Sequence, residues 1–498
     1  MDKTFNNIKN YFSIKQMKKE IYGYGYTLSK IRYILFVLIA LIFPVGMGFL
    51  YQMKPGFIII VGVVSVVVIP SLIRANFVNL YQKQRFNEVD IYLHQMVYSF
   101  QKSPKIITAL EDTEKIATGK LKKTIQKALD NLNTSVSDDI LAETLAIIEK
   151  EYNNTRVKAL NKYMINIELK GGDYTSSINI MLTDIDNWIT RTYAEQNEIG
   201  RVKTANIIGL ILSLGIGAVS SAFSYVMQNS EYHYEKSIGD NMIYQVCCLI
   251  FLIVCVLYFV YTQVSYNRDW VSKAVNEKMI MKDYKNATEF NPNKFRIISI
   301  PVYAIIGIIA VALYFMKFIP YNAYVAALFG IFDIFMVIQP TLTKKTAVAN
   351  TKRNIQDSFS EWLRDVSLNL QEEPLLSAIQ DTYETCPIVM KPELEIFLSR
   401  IEEDPTAVEP YYEFLARFKL LDISAAIRNL YSLSDVDRAD MDEQLSLLVE
   451  RNYEIINKNE QASLIDRNSV LHFSEYIPVT FASVKLGLDM ICLVNLML

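Results

Sequence analysis

The sequence predicts an all-α integral membrane protein with about seven transmembrane helices and two cytoplasmic antiparallel helical-bundle domains related by internal duplication. Three observations predict it: paired apolar runs of span length, two charged stretches of about 130 residues between them, and a self-similarity at an offset of 270 positions. Composition agrees. Of 498 residues 51 % are apolar, mean hydropathy is +0.17 and only 14 residues are Pro, so the apolar matter is grouped into spans.

A basic N-terminus over 1–32 precedes a transmembrane hairpin at 33–73, whose two apolar runs meet around Pro55. A second hairpin covers 205–264 and a third 297–338, and the first five runs carry no charge. The last segment, 476–498, is weaker because it contains Lys485 and Asp489; it is expected to cross the bilayer or lie in its interface. Lys3, Lys9, Lys15, Lys18, Lys19, Lys30 and Arg32 outnumber Asp2 and Glu20 ahead of the first run, so the positive-inside rule keeps this end cytoplasmic. The basic linker 265–296 returns to the same side, whereas 228–241 holds mainly acidic residues and faces outward. Segments 74–204 and 339–475 are then both cytoplasmic domains. No cleavable signal is expected, because no small-residue cleavage site follows the first run.

The offset of 270 superposes Val89, Leu93, Met96 and Phe100 on Phe359, Leu363, Val366 and Leu370, a helical stripe, with Gln101 and Pro104 falling on Gln371 and Pro374. After one deleted position, residues 107–113 (ITALEDT) read against 376–382 (LSAIQDT). Each copy follows a two-span hairpin and precedes a further span, so duplication accounts for membrane and soluble parts together. Further helices are predicted over 141–151, 157–169, 178–194, 392–402, 407–418 and 443–456, and no alternating strand pattern competes.

This arrangement resembles the F-domain family of type II secretion and type IV filament platforms, and more closely the inner-membrane proteins of Tad/Flp-type pilus machines. Ala109-Leu110-Glu111 and the glycine break Gly171-Gly172 are similar to family features. The glycine usual in the first turn is replaced by Gln101-Lys102-Ser103, and Ser434-Asp435 stands where the second copy would have its glycine pair. The resemblance implies a platform in the inner membrane, itself a homo-oligomer, that couples a cytoplasmic hexameric secretion or pilus ATPase to pilin subunits and other inner-membrane assembly proteins. An archaellum-type platform shares the doubled layout.

Chemistry is sparse. No phosphate loop exists, since Gly119-Lys120 continues with Leu121, and no nucleophile elbow or His-Glu-x-x-His helix is present. Five Cys and three His are scattered without metal spacing, so no enzyme activity, cofactor, metal or nucleic-acid partner is expected. A transporter or channel is the alternative, but it would concentrate polar and broken-helix features at the bilayer midplane.

The candidate working surfaces are electrostatic and intramembrane. Residues 74–204 hold 18 basic and 17 acidic side chains, whereas 343–474 hold 14 and 24. Lys115, Lys120, Lys122, Lys123 and Lys127 form a basic cluster, and Glu402, Glu403, Asp404, Glu409 and Glu413 an acidic one; both are candidate ATPase-docking surfaces, against the bland reading of solvated faces. Ser213, Gly217 and Ser221 make a small-residue stripe suited to helix packing, with Ala326 and Gly330 a shorter version. Asp333, Lys485 and Asp489 are intramembrane charges, each penalised by about 2.5–3.5 kcal/mol unless partnered. Lys485 and Asp489, four residues apart, can satisfy each other.

Overall fold

A computed structural model describes residues 11–134, 139–171, 175–228, 238–272, 277–315, 322–370, 374–384, 386–404, 407–432 and 471–497, with isolated positions between 444 and 465. Among the described residues every regular element is helical: α1 (Ile14–Gly23), α2 (Lys30–Leu50), α3 (Pro55–Lys102), α4 (Ile106–Ile116), α5 (Gly119–Thr134), α6 (Ile140–Glu151), α7 (Thr155–Lys170), α8 (Thr175–Gln228), α9 (Met242–Ser265), α10 (Glu277–Thr288), α11 (Pro292–Phe315), α12 (Asn322–Leu370), α13 (Leu375–Asp381), α14 (Lys391–Glu403), α15 (Glu409–Glu413), α16 (Leu421–Ser432) and α17 (Ile477–Met497). Among the described residues five helices are long and apolar enough to cross a membrane: α2, α3, α9, and the stretches Met181–Ala222 of α8 and Pro292–Ile309 of α11. The described residues are those of an all-helical membrane protein.

Two compact units divide it, residues 1–273 with 461–498 and residues 274–460. In the first, α2 and α3 form a hairpin, and α8, α9 and α17 pack beside it. Local chemistry sets the starts of these helices: Ser29 Oγ accepts from Arg32 N at 3.2 Å ahead of α2, Asn241 Oδ1 accepts from Ile243 N at 2.9 Å ahead of α9, and Pro55 opens α3 where its missing N–H has no helical partner to lose. Their mutual faces bury Tyr51, Val61, Leu210, Tyr244, Cys248, Phe251, Leu252, Cys255 and Cys492. Their outer faces leave Ile34, Ile39, Ile42, Ile211, Val219, Ile243 and Ile250 exposed, a belt that only lipid or another apolar surface covers without penalty.

The polar ends of α3 and α8 continue past the belt into a bundle with α4 to α7. Phe86, Val89, Tyr92, Leu93, Met96 and Phe100 of α3 are buried together with Ile106, Ala109 and Leu110 of α4, Leu121 and Ile125 of α5, Leu145 and Ile148 of α6, and Leu160 and Met164 of α7. Gly119 has φ +59°, and a Cβ there would stand 3.2 Å from both Gln84 Nε2 and Glu88 Oε1, so the tight turn into α5 requires glycine.

The second unit has a comparable order: α11 and α12 make a hairpin, α10 packs on α12, and α13 follows. Its core joins Ile355, Phe359, Trp362, Leu363, Val366 and Leu370 of α12 to Leu375, Ala378 and Ile379 of α13 and to Leu394, Phe397, Ile401, Phe414 and Phe418 further on.

Two expectations change. Segment 178–194 is not a separate helix, since α8 runs unbroken to Gln228. Hydropathy falls at the end of an apolar run, but helix hydrogen bonding is indifferent to side-chain polarity and no Pro intervenes; Glu198 and Arg201 simply pair outward at 2.8 Å. Segment 407–418 is not one helix either. Leu415 (φ 57°) and Lys419 (φ 53°) adopt left-handed conformations, which turns Phe414 onto Phe397 (5.3 Å between ring centroids) and Trp362 (5.6 Å). The expected helix at 443–456 lies largely outside the described residues.

Candidate functional site

Lys485 and Asp489 of α17 are each about 1 % exposed and form a direct ion pair one helical turn apart. Their surroundings complete the pair from three other elements. Ser220 Oγ of α8 donates to Asp489 Oδ2 at 2.8 Å, and the Lys485 ammonium faces the Tyr244 ring at 4.7 Å and the Tyr51 ring at 5.4 Å. Those two tyrosines are themselves anchored. Tyr51 donates to Leu214 O at 2.8 Å, Tyr244 donates to Tyr51 O at 3.2 Å, and Ser221 Oγ is 2.7 Å from the Tyr244 hydroxyl. Gln245 then donates to Gln52 O (2.9 Å) and Gly239 O (2.7 Å) and accepts from Lys54 N at 2.9 Å. The result is a closed polar network inside the apolar bundle, in which the carboxylate, ammonium and hydroxyl groups have partners.

Gly217 and Ser221 of the small-residue stripe join this network, whereas the buried Ser213 Oγ has no hydrogen-bond partner among the described residues. Ser213, Gly217 and Ser221 are all buried, and a Cβ on Gly217 would fall 2.4 Å from the Tyr51 hydroxyl. The stripe therefore gives Tyr51 room rather than offering an open groove. Sequence reasoning singled out Lys485, Asp489 and the stripe but missed Tyr51, Tyr244 and Gln245, because aromatic and amide residues at span ends are common and only their convergence marks them. In the second unit Asp333 of α12 is partly buried beside Gly307 of α11, and its Oδ1 has no hydrogen-bond partner among the described residues. Ala326 lies in α12 and its side chain is outside the described ones; Gly330 is half-buried.

The basic cluster is less uniform than its spacing suggests. Lys115 ends α4 and pairs with Asp112 at 2.9 Å, Lys120 pairs with Glu151 and stands 5.8 Å over the Tyr81 ring, and Lys122 reaches Glu114 at 4.0 Å. Lys123 and Lys127 are exposed on the outer face of α5. In the second unit Glu402 and Glu403 end α14 and Asp404 caps it, with all three exposed, while Glu413 pairs with Arg400. Gly171 has φ +74° and terminates α7, as a glycine break should; Gly172 lies outside the described residues.

Polar braces tie the soluble end of the first unit to α3 and α8. Tyr152 donates to the buried Glu88 at 2.6 Å, Tyr92 donates to Asn161 Oδ1 at 2.7 Å, and Arg156 makes a two-pronged contact with Asp184 at 2.9 and 3.1 Å. His94 lies between Asp90 and Asp186, 2.7 Å from each, and so bridges α3 and α8. It sits about 30 Å along α3 from residue 73, well beyond the apolar stretch. The Asp90 hydrogen bond, against the opposing effect of burial, and then the Asp186 hydrogen bond raise its pKa to about 9. A raised pKa places the stabilising contribution fully below pH 6.5 and removes it as pH climbs through 9. The unfolding temperature of the full chain should therefore fall between pH 7 and pH 10, and His94→Gln should flatten that part of the profile; an unchanged slope in the variant would reject the bridge.

In the second unit the buried Glu393 accepts from Tyr284 at 2.6 Å and pairs with Arg417, which joins α10, α14 and the turn Ala416–Phe418. Trp362 donates through Nε1 to Thr382 Oγ1 at 2.9 Å. Among the described residues no group of three or more His, Cys, Asp or Glu side chains is placed to hold a metal ion. Comparison with family models, curated proteins and solved structures returns no match.

Proposed function

We propose that this chain is the platform of a type IV filament or type II secretion-like machine of the Tad/Flp kind, a non-enzymatic scaffold in the inner membrane that transmits the work of a cytoplasmic ATPase to pilin subunits. The observation that carries this reading is mechanical. α3 and α12, of 48 and 49 residues, each run without a break from an apolar segment into a packed soluble bundle. A motor can move only what it binds differently in successive states, and a continuous helix carries a displacement of the soluble end into the bilayer.

Duplication is part of the proposal, and several correspondences support it. Pro70 and Pro340 lie inside the two long helices, which continue through them, at the same offset of 270 that relates their buried stripes. Val89, Leu93, Met96 and Phe100 are buried, as are Phe359, Leu363, Val366 and Leu370; after the turn Ala109, Leu110 and Thr113 match the buried Ala378, Ile379 and Thr382. On this reading the second half of α12's apolar hairpin and α17 bring the spans to seven, with both bundles cytoplasmic.

The two bundles are proposed to present unlike charge to the ATPase, with Lys123 and Lys127 exposed on the outer face of α5. Reversing them with Lys122 (Lys→Glu at all three) should abolish recovery of a secretion-type ATPase with the full chain purified from its native membrane, while pilin-like proteins still co-purify. Undiminished ATPase recovery would remove this surface from the proposal, and solute uptake by the purified chain alone would favour a transporter.

A further inference from the structure

The N-terminal helix α1 is held beside the point where α3 leaves its apolar stretch. Met17 and Ile21 are buried against Ile69, Ile73 and Phe77. Tyr11 donates to Val67 O at 3.1 Å and lies 2.7 Å from Ser71 Oγ, and Arg74 Nε donates to Glu20 Oε2 at 2.8 Å with its guanidinium 5.3 Å from the Tyr11 ring. These contacts fix α1 at the level of residues 67–77, the edge of the apolar belt.

The helix is strongly sided. At about 100° per residue, Lys15, Lys18, Lys19 and Tyr22 share one sector of roughly 100°, Met17 and Ile21 point the other way into α3, and Glu20, the only acidic residue of α1, is turned from the lysines and engaged by Arg74. Tyr22 is 75 % exposed, Phe12 and Ile14 are also exposed, and the following helix continues with exposed Ile31, Ile34 and Leu35. A basic sector carrying an exposed aromatic ring, fixed at the rim of a lipid-facing belt, suits the headgroup layer.

We propose that α1 is an in-plane anchor whose Lys15, Lys18 and Lys19 bind the headgroups of anionic phospholipid. The occupant follows from charge complementarity and from continuity with the apolar belt: a lipid seated beside α2 and α3 brings its phosphate to the lysine sector. The inference rests on the membrane-embedded reading and is independent of the platform function.

The test uses the full chain in nanodiscs of phosphatidylcholine alone or with roughly 30 mol% phosphatidylglycerol, followed by amide hydrogen exchange over residues 11–24. Attraction of three lysines to an anionic surface predicts exchange at least about tenfold slower in the phosphatidylglycerol discs. The difference should shrink in about 0.5 M salt and vanish in the variant Lys15→Gln/Lys18→Gln/Lys19→Gln. Equal exchange in the two discs, or an undiminished difference in the triple variant, would overturn the proposal.

Discussion

Lys485→Met is expected to destabilise the membrane bundle by roughly 3–5 kcal/mol, and Asp489→Leu by a similar amount, whereas the double variant should recover most of the loss. Each single change strands a charge that is about 1 % exposed: Asp489 would keep Ser220 but lose its cation, and Lys485 would keep the faces of Tyr51 and Tyr244 but lose its carboxylate. The double change removes both charges and fills the space with apolar atoms, so the desolvation penalty disappears with the attraction. Thermal unfolding of the four proteins in one detergent gives the coupling directly. Additive losses would mean that the two side chains do not act as a pair.

The second large effect belongs to the other unit. Trp362→Ala should cost about 3–5 kcal/mol, because Trp362 is the largest fully buried side chain there and touches the rings of Phe359 and Phe414 at 5.6 Å each. Trp362→Phe should cost about 1–3 kcal/mol, since it keeps most of the packing and removes the donor to the buried Thr382 hydroxyl. Chemical unfolding monitored by circular dichroism separates the two. A near-neutral alanine variant would contradict the core assigned to α12 and α13.

Much of this was legible from residue order. Hydropathy and charge located the apolar helices of the first unit, and the four-three-four spacing found the buried stripes at 89–100 and 359–370 because a helix must turn one face inward. Gly171, singled out as a glycine break through the family resemblance, ends α7 with a φ of +74°, which side chains with a Cβ resist. Continuity was harder: the change from apolar to charged residues near 73 and 204 looked like a boundary, but α3 and α8 pass through it. The polar network was only half visible. Lys485 and Asp489 stand out by composition, whereas Tyr51, Tyr244 and Gln245 come from distant parts of the chain, and nothing in local sequence forecasts that they meet. The lysine cluster shows the opposite failure, since spacing alone did not reveal that Lys115, Lys120 and Lys122 each have a carboxylate within reach.

Sidedness tests the central claim most directly. Single cysteines introduced at the exposed positions Lys123→Cys and Glu402→Cys, one in each bundle, would be challenged with a membrane-impermeant thiol reagent on intact spheroplasts and on inverted membrane vesicles. The platform reading predicts that both react in inverted vesicles and neither reacts from outside. Labelling of either one on intact spheroplasts would contradict it.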